Sequence, residues 1–170
     1  MLKPTKLEKT KLIFWVSLFV SIACFIGGYA VSPEQVAIHF GADGSVNNTS
    51  SSFTLLLIWL AVTLFAVLPL YLIAISIKKF PEDSVNLPNK AFWFAEENKA
   101  EAFRRLEACL INFASATTLF LAAVSILVSL ANQDSVPQLN MTFLSSVVGV
   151  FLGYLIVWTF QLFKMFKVPV

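Results

Sequence analysis

The sequence predicts an all-α membrane protein: four transmembrane helices in one domain spanning residues 1–170, with both termini in the cytoplasm. Three observations carry that reading. Four long stretches, 12–31, 53–77, 108–131 and 141–163, contain no Asp, Glu, Lys or Arg. Apolar residues make up 58% of the chain and charged residues 13%, against about 45–50% and about 25% in soluble domains. All 12 Lys and Arg lie outside those stretches, in alternate connecting segments. A disordered chain, a disulfide-stapled scaffold and a conventional soluble enzyme are excluded by the same composition.

Each stretch reaches the roughly 20 apolar residues needed to cross about 30 Å of hydrocarbon. A helix satisfies its backbone polar groups within each segment, so helices are the expected form. The first span follows Lys3, Lys6, Lys9 and Lys11. Its apolar run is longer than the core of a signal peptide, so it is expected to be retained. The segment between spans two and three carries Lys78, Lys79, Lys90, Lys99, Arg104 and Arg105, and the C-terminal tail carries Lys164 and Lys167. The loops 32–52 and 132–140 carry no Lys or Arg. The positive-inside rule therefore places these two loops outside and everything basic inside. The sequence then reads as a multi-pass membrane protein with both termini and the middle loop in the cytoplasm.

The first outer loop alternates Val36, Ile38 and Phe40 with Ala37 and His39, a short strand pattern. Asp43-Gly44 supplies turn chemistry, and Ser51 or Ser52 is placed to cap the second span. His39 is the single histidine. It reads as a pH switch, a ligand contact, a metal ligand or a residue that stiffens its own turn. Metal binding needs several ligands held together, and one His with scattered acids does not supply them, so no metal and no cofactor is expected.

In the second span Pro69 withdraws a backbone donor and predicts a kink, with the Phe65 carbonyl freed. The inner loop is punctuated by Pro81 and Pro88. From about Glu96 it reads as a helix with one apolar face, running into the third span. Phe92-Trp93-Phe94 would sit at the headgroup boundary. Asn89, Lys90, Trp93, Arg104 and Arg105 are the candidate surface for lipid or a cytoplasmic partner. In the third span Asn112 is expected to bond across helices. In the fourth, Ser145, Gly149 and Gly153 recur every four residues and predict a close contact, expected inside the bundle. Cys24 and Cys109 lie within or beside spans, so no disulfide is expected. The spans hold no acid, base or His, which counts against proton-coupled transport.

The segment Pro33-x-x-Val36-Ala37-Ile38-His39-Phe40-Gly41-x-x-Gly44 resembles the "LP-x-x-[IV]-P-[IV]-H-F-x-x-x-G" signature of a bacterial membrane domain of unknown function. That domain forms the N-terminus of SdpI-type proteins. Asn86-Leu87-Pro88-Asn89-Lys90-Ala91-Phe92-Trp93 is similar to the "NLPNK-[DE]-YW" stretch of its short members. The resemblance covers about residues 10–110. Ser32, Ala37, Asn47, Ala91 and Phe92 depart from the pattern. It implies a bacterial inner-membrane protein related to toxin immunity and signal transduction, with Pro33, His39, Phe40, Asp43 and Gly44 as candidate ligand or signal contacts.

Three function classes follow. The first is a binding, sensing or immunity-like protein meeting an extracytoplasmic peptide. The second is an accessory subunit of a larger membrane assembly. The third is a small transporter. The expected partners are the lipid bilayer, an outer peptide, and a cytoplasmic or membrane protein. Nucleic acid is not expected, because the net charge is only +2. An enzyme is not expected either, because no nucleophile and base, nor paired carboxylates, are placed together.

Overall fold

A computed structural model describes residues 4–168, with side chains from Lys6 onward. Lys3 lies outside the described residues. In chain order the elements are helix α1 (Pro4–Val31), strands β1 (Gln35–Phe40) and β2 (Val46–Ser51), and helix α2 (Ser52–Val62). A π-helical turn at Thr63–Val67 leads into α3 (Leu68–Ser76). The one-turn α4 (Lys90–Trp93), the 36-residue α5 (Glu96–Ala131) and α6 (Met141–Met165) follow. Four helical stretches are long and apolar enough to cross a membrane: Lys6–Val31, Ser52–Lys79, Glu96–Ala131 and Met141–Met165. The chain is thus mostly helical, and its four apolar helices are compatible with a multi-pass membrane protein. The predicted spans fall inside these helices, and α5 joins the helix expected from about Glu96 to the third span without a break.

Pro69 sits just after the π-helical turn. Proline has no N–H to donate to the preceding turn. The wider turn absorbs the fault: the Leu68 N–H reaches back five residues to Thr63 O. Such single π turns insert one residue without ending a helix.

The close-packed seam runs between α1 and α5. Ser17, Ser21, Ser115, Thr118 and Ser125 are buried along it. Ser17, Ser115 and Thr118 donate to carbonyls one turn back within their own helices, at 2.7–2.9 Å. Ser125 donates to Ala122 O at 2.8 Å, while the Ser21 hydroxyl is buried with no partner among the described residues. The small volume of these side chains lets the two backbones approach. At Gly28 an added Cβ would stand 3.0 Å from Ser129 Oγ. Phe14, Leu18, Val67, Tyr71, Ala74, Ile111 and Ala114 fill the centre, where α1, α3 and α5 meet. The Phe14 and Tyr71 rings stack there at 4.2 Å.

The small-residue face of α6 is not used in this way. Ser145, Gly149 and Gly153 are exposed, and a Cβ added at either glycine would meet nothing within 4 Å. The expected contact inside the bundle is therefore corrected. Helix α6 leans on α5 through its opposite, aromatic face: Phe151 stacks on Phe120 at 4.5 Å, and Trp158 meets Phe113 at 5.3 Å. Rings of that size hold the backbones apart and leave the glycines facing away. Asn112 is corrected likewise. It is exposed on α5, and no helix–helix hydrogen bond forms through it among the described residues.

Two further apolar clusters cap the ends of the bundle. Val36, Leu55, Val128, Ala131 and Leu139 lie under the β-hairpin. Ile77, Val85, Leu87, Trp93, Ala102, Leu106 and Phe166 lie at the end where the basic residues gather. Cys24 and Cys109 are both free.

Candidate functional site

The hairpin end is built from two loops far apart in sequence. β1 and β2 pair antiparallel, from Gln35 opposite Ser51 to Phe40 opposite Val46. The pattern of β1 was readable in the sequence. β2 was not, because Val46-Asn-Asn-Thr-Ser-Ser51 lacks apolar alternation and is a strand only through its partner. Ser51 then caps α2, accepting from the Thr54 N–H at 3.1 Å.

The turn between the strands is set by Asp43 and Gly44. Asp43 accepts from the backbone N–H of Ser45 at 3.0 Å and from its hydroxyl at 2.7 Å. The Ser45 hydroxyl, with its backbone N–H, holds the exposed Asp43 carboxyl below its ordinary value of 3.8. Gly44 has φ +81°, and an added Cβ would collide with Leu139 O. Glycine is needed there on both counts. Its own carbonyl accepts from the Leu139 N–H at 3.0 Å, and Gln138 Nε2 donates to Asp43 O at 2.9 Å.

A third tie is Asn132, 1% exposed at the C-terminus of α5. Its Oδ1 accepts from the Ala37 N–H at 2.6 Å. Its Nδ2 donates to Ala37 O and to Val128 O, each at 3.0 Å. The amide meets the outer edge of β1 with the paired donor and acceptor of a neighbouring strand. The loop 132–140 and the hairpin are thereby joined into one cap.

Beside this cap opens a cleft of about 770 Å³, lined by Val31, Pro33, Gln35, Asn132, Gln133 and Asp134 among others. Pro33 is the candidate contact that borders it. His39 is exposed on β1 opposite Asn48, away from that cleft. Phe40 is half-buried on the apolar cluster under the hairpin. The sequence candidates on this loop are therefore not gathered into one pocket: Asp43 and Gly44 shape the turn, Phe40 anchors it, and His39 projects outward. Asn132 was missed, because its partner Ala37 is 95 positions away and no spacing signals the pair.

The opposite end holds the second candidate group. Asn89, at φ +55°, donates from Nδ2 to Phe166 O at 2.8 Å, and Trp93 Nε1 donates to the same carbonyl at 2.9 Å. Arg105 donates to Met165 O at 2.8 Å and lies over the Trp93 ring at 4.7 Å. The last carbonyls of a helix have no partner within it. Asn89, Trp93 and Arg105 supply partners to those of α6. Trp93 is therefore buried, 3% exposed, and its expected place on a lipid- or partner-facing surface is corrected. Lys90 lies over the Phe94 ring at 5.8 Å, and Arg104 pairs with Glu101 at 2.8 Å.

Among the described residues no group of three or more His, Cys, Asp or Glu side chains is placed to hold a metal ion. Compared with models of known families, with curated proteins and with solved structures, the chain matches none of them. The arrangement offers a polar cap with an adjoining cleft at one end, and a helix terminus clamped by a basic, aromatic loop at the other.

Proposed function

We propose that this chain is an outward-facing binding protein of a bacterial inner membrane, of the sensing or immunity-like kind, and that its cap takes a cationic peptide. The observation that carries this reading is the cap itself. Two outer loops are locked together by Asn132, Gln138 and Gly44 beside an open cleft of about 770 Å³. These loops carry Glu34, Asp43 and Asp134 and no Lys or Arg. Asp134 lines the cleft, with Gln35 and Gln133 as polar neighbours. A rigid, negatively biased surface suits a basic partner, since complementary charge speeds encounter and fixes register. The positive-inside distribution of Lys and Arg supports placing this end outside. The motif resemblance supports an immunity-like role, and the clamped inner loop around Trp93 would be the element that passes a signal inward.

The test is growth of a deletion strain challenged with secreted cationic peptides, complemented by wild type, His39→Ala or Asp134→Asn. The proposal expects hypersensitivity on deletion, rescue by wild type, and weaker rescue by Asp134→Asn. A deletion with no phenotype under any cationic peptide overturns it.

One observation favours a second reading, an accessory subunit of a larger assembly. Helix α6 has no buried residue, and its Ser145, Gly149 and Gly153 face is open. Beside it a groove of about 420 Å³, lined by Ala116, Leu119, Ala123 and Val150, runs between α5 and α6. A stoichiometric membrane partner that crosslinks at position 149 supports this reading.

A further inference from the structure

We infer that the basic end of the bundle contains a binding site for the phosphate of one anionic phospholipid, between α1, α3 and α5. The inference is independent of the cap and its ligand. A cleft of about 470 Å³ opens there, lined by Leu7, Lys11, Ile75, Lys78, Phe103 and Arg104, with Glu107 and Ala100 completing it. Its charged lining is three cations and one carboxylate. That carboxylate is already committed: Lys11 Nζ lies 3.2 Å from Glu107 Oε1. Glu8 is 3.7 Å from the same lysine, and Glu101 holds Nη2 of Arg104.

Positive capacity is left over. Lys78 is exposed and makes no ion pair among the described residues. Arg104 Nε is shut from solvent without a hydrogen-bond partner. A guanidinium N–H left in that state is costly, and a phosphate oxygen reached by a small turn of the side chain would satisfy it.

The height of the cleft selects lipid over a soluble anion. Lys11 is the last charged residue before Leu12, Lys78 the first after Ile77, and Glu107 the last before Ala108. All three mark the boundary where a charge-free span begins, which is the level of headgroups. Leu7, Ile75 and Phe103 supply an apolar wall beside the cations. A headgroup phosphate could sit among Lys11, Lys78 and Arg104 while its acyl chains follow that wall downward. Basic pockets between membrane helices take anionic headgroups by this division of labour.

The experiment uses the full chain purified in dodecyl maltoside, with dioleoylphosphatidylglycerol or dioleoylphosphatidylcholine added and bound lipid counted by native mass spectrometry. Wild type should retain one phosphatidylglycerol and no phosphatidylcholine. Lys78→Gln should weaken that binding about fivefold, the worth of one cation beside an anionic lipid, while Lys78→Arg keeps it. The Lys78 side chain makes no bond among the described residues, so its variants fold; Arg104→Gln provides a second probe. Lys164→Gln, at the same end but outside the cleft, should bind as wild type does. Equal loss in Lys78→Gln and Lys164→Gln would mean diffuse attraction and overturn the site. Displacement of the lipid by millimolar inorganic phosphate would point to a soluble anion and overturn the assignment to lipid.

Discussion

Replacing Asn132 by Ala should loosen the hairpin cap without disturbing the helices beneath it. The side chain satisfies the N–H and the C=O of Ala37, both buried. Val128 O is a lesser concern, because it also accepts from the Asn132 backbone at 3.2 Å. Truncation leaves two buried backbone groups unpaired, each costing about 1–3 kcal/mol. Asn132 borders the open cleft, so water can reach part of the gap. The net loss should fall toward the lower half of that range, about 2–4 kcal/mol. Asn132→Asp should be worse at neutral pH, since it turns an anion toward Ala37 O in a site that is 1% exposed. The assay is equilibrium unfolding in mixed micelles, paired with amide exchange at Ala37 and Thr49. A stability change under about 0.5 kcal/mol with unchanged exchange at Ala37 would refute the reasoning, because the strand edge would not depend on this amide.

Three other outcomes are expected. Trp93→Phe keeps the ring but removes the donor to Phe166 O; with Asn89 still bonded there, the loss should be about 1 kcal/mol, against about 3–5 kcal/mol for Trp93→Ala, as read by thermal unfolding and by protease access beyond Met165. Gly149→Leu should leave stability within about 0.5 kcal/mol, since nothing stands near the added side chain, and a loss above about 1 kcal/mol would show that this face is packed. Asp43 contributes to the turn only while ionised: its carboxyl lies below 3.8 in the folded chain, so its contribution holds above that value and fades as pH falls through the lower folded pKa. Following the Ser45 amide resonance against pH should show the shift below 3.8 in wild type and a higher Asp43 midpoint in Ser45→Ala.

The spans were legible because lipid imposes one simple demand, a long run of uncharged residues. The helix N-terminus at Ser51 and the fault before Pro69 were legible because capping and a missing donor are local chemistry. The packing of α6 was not. Ser145, Gly149 and Gly153 say that a helix could approach, but the rings of Phe151 and Trp158 on the other face decided which side α5 meets. Spacing within one helix does not rank its faces. By sequence Trp93 looks like an interfacial aromatic, because its neighbours are aromatic and basic. Its burial depends on Phe166, which no local pattern connects to it. The cap escaped for the same reason. His39, Asp43 and Gly44 stand out by residue type, whereas Asn132 and Ala37 are ordinary residues that matter because the fold makes them neighbours.

The π-helical turn before Pro69 has a geometric consequence for the whole second membrane-spanning segment. Leu55, Thr63, Val67 and Tyr71 are buried, with Trp59 half-buried between them, a run of strict four-residue steps. In an unbroken α-helix each residue turns the chain by about 100°, so every such step drifts by about 40°. Four steps would carry Tyr71 about 160° around, to the lipid side, and away from Phe14. One extra residue in the wide turn winds back about 100° of that drift. The turn thus acts as a phase corrector: it lets one straight ladder of side chains serve the cap at one end and the aromatic core further down.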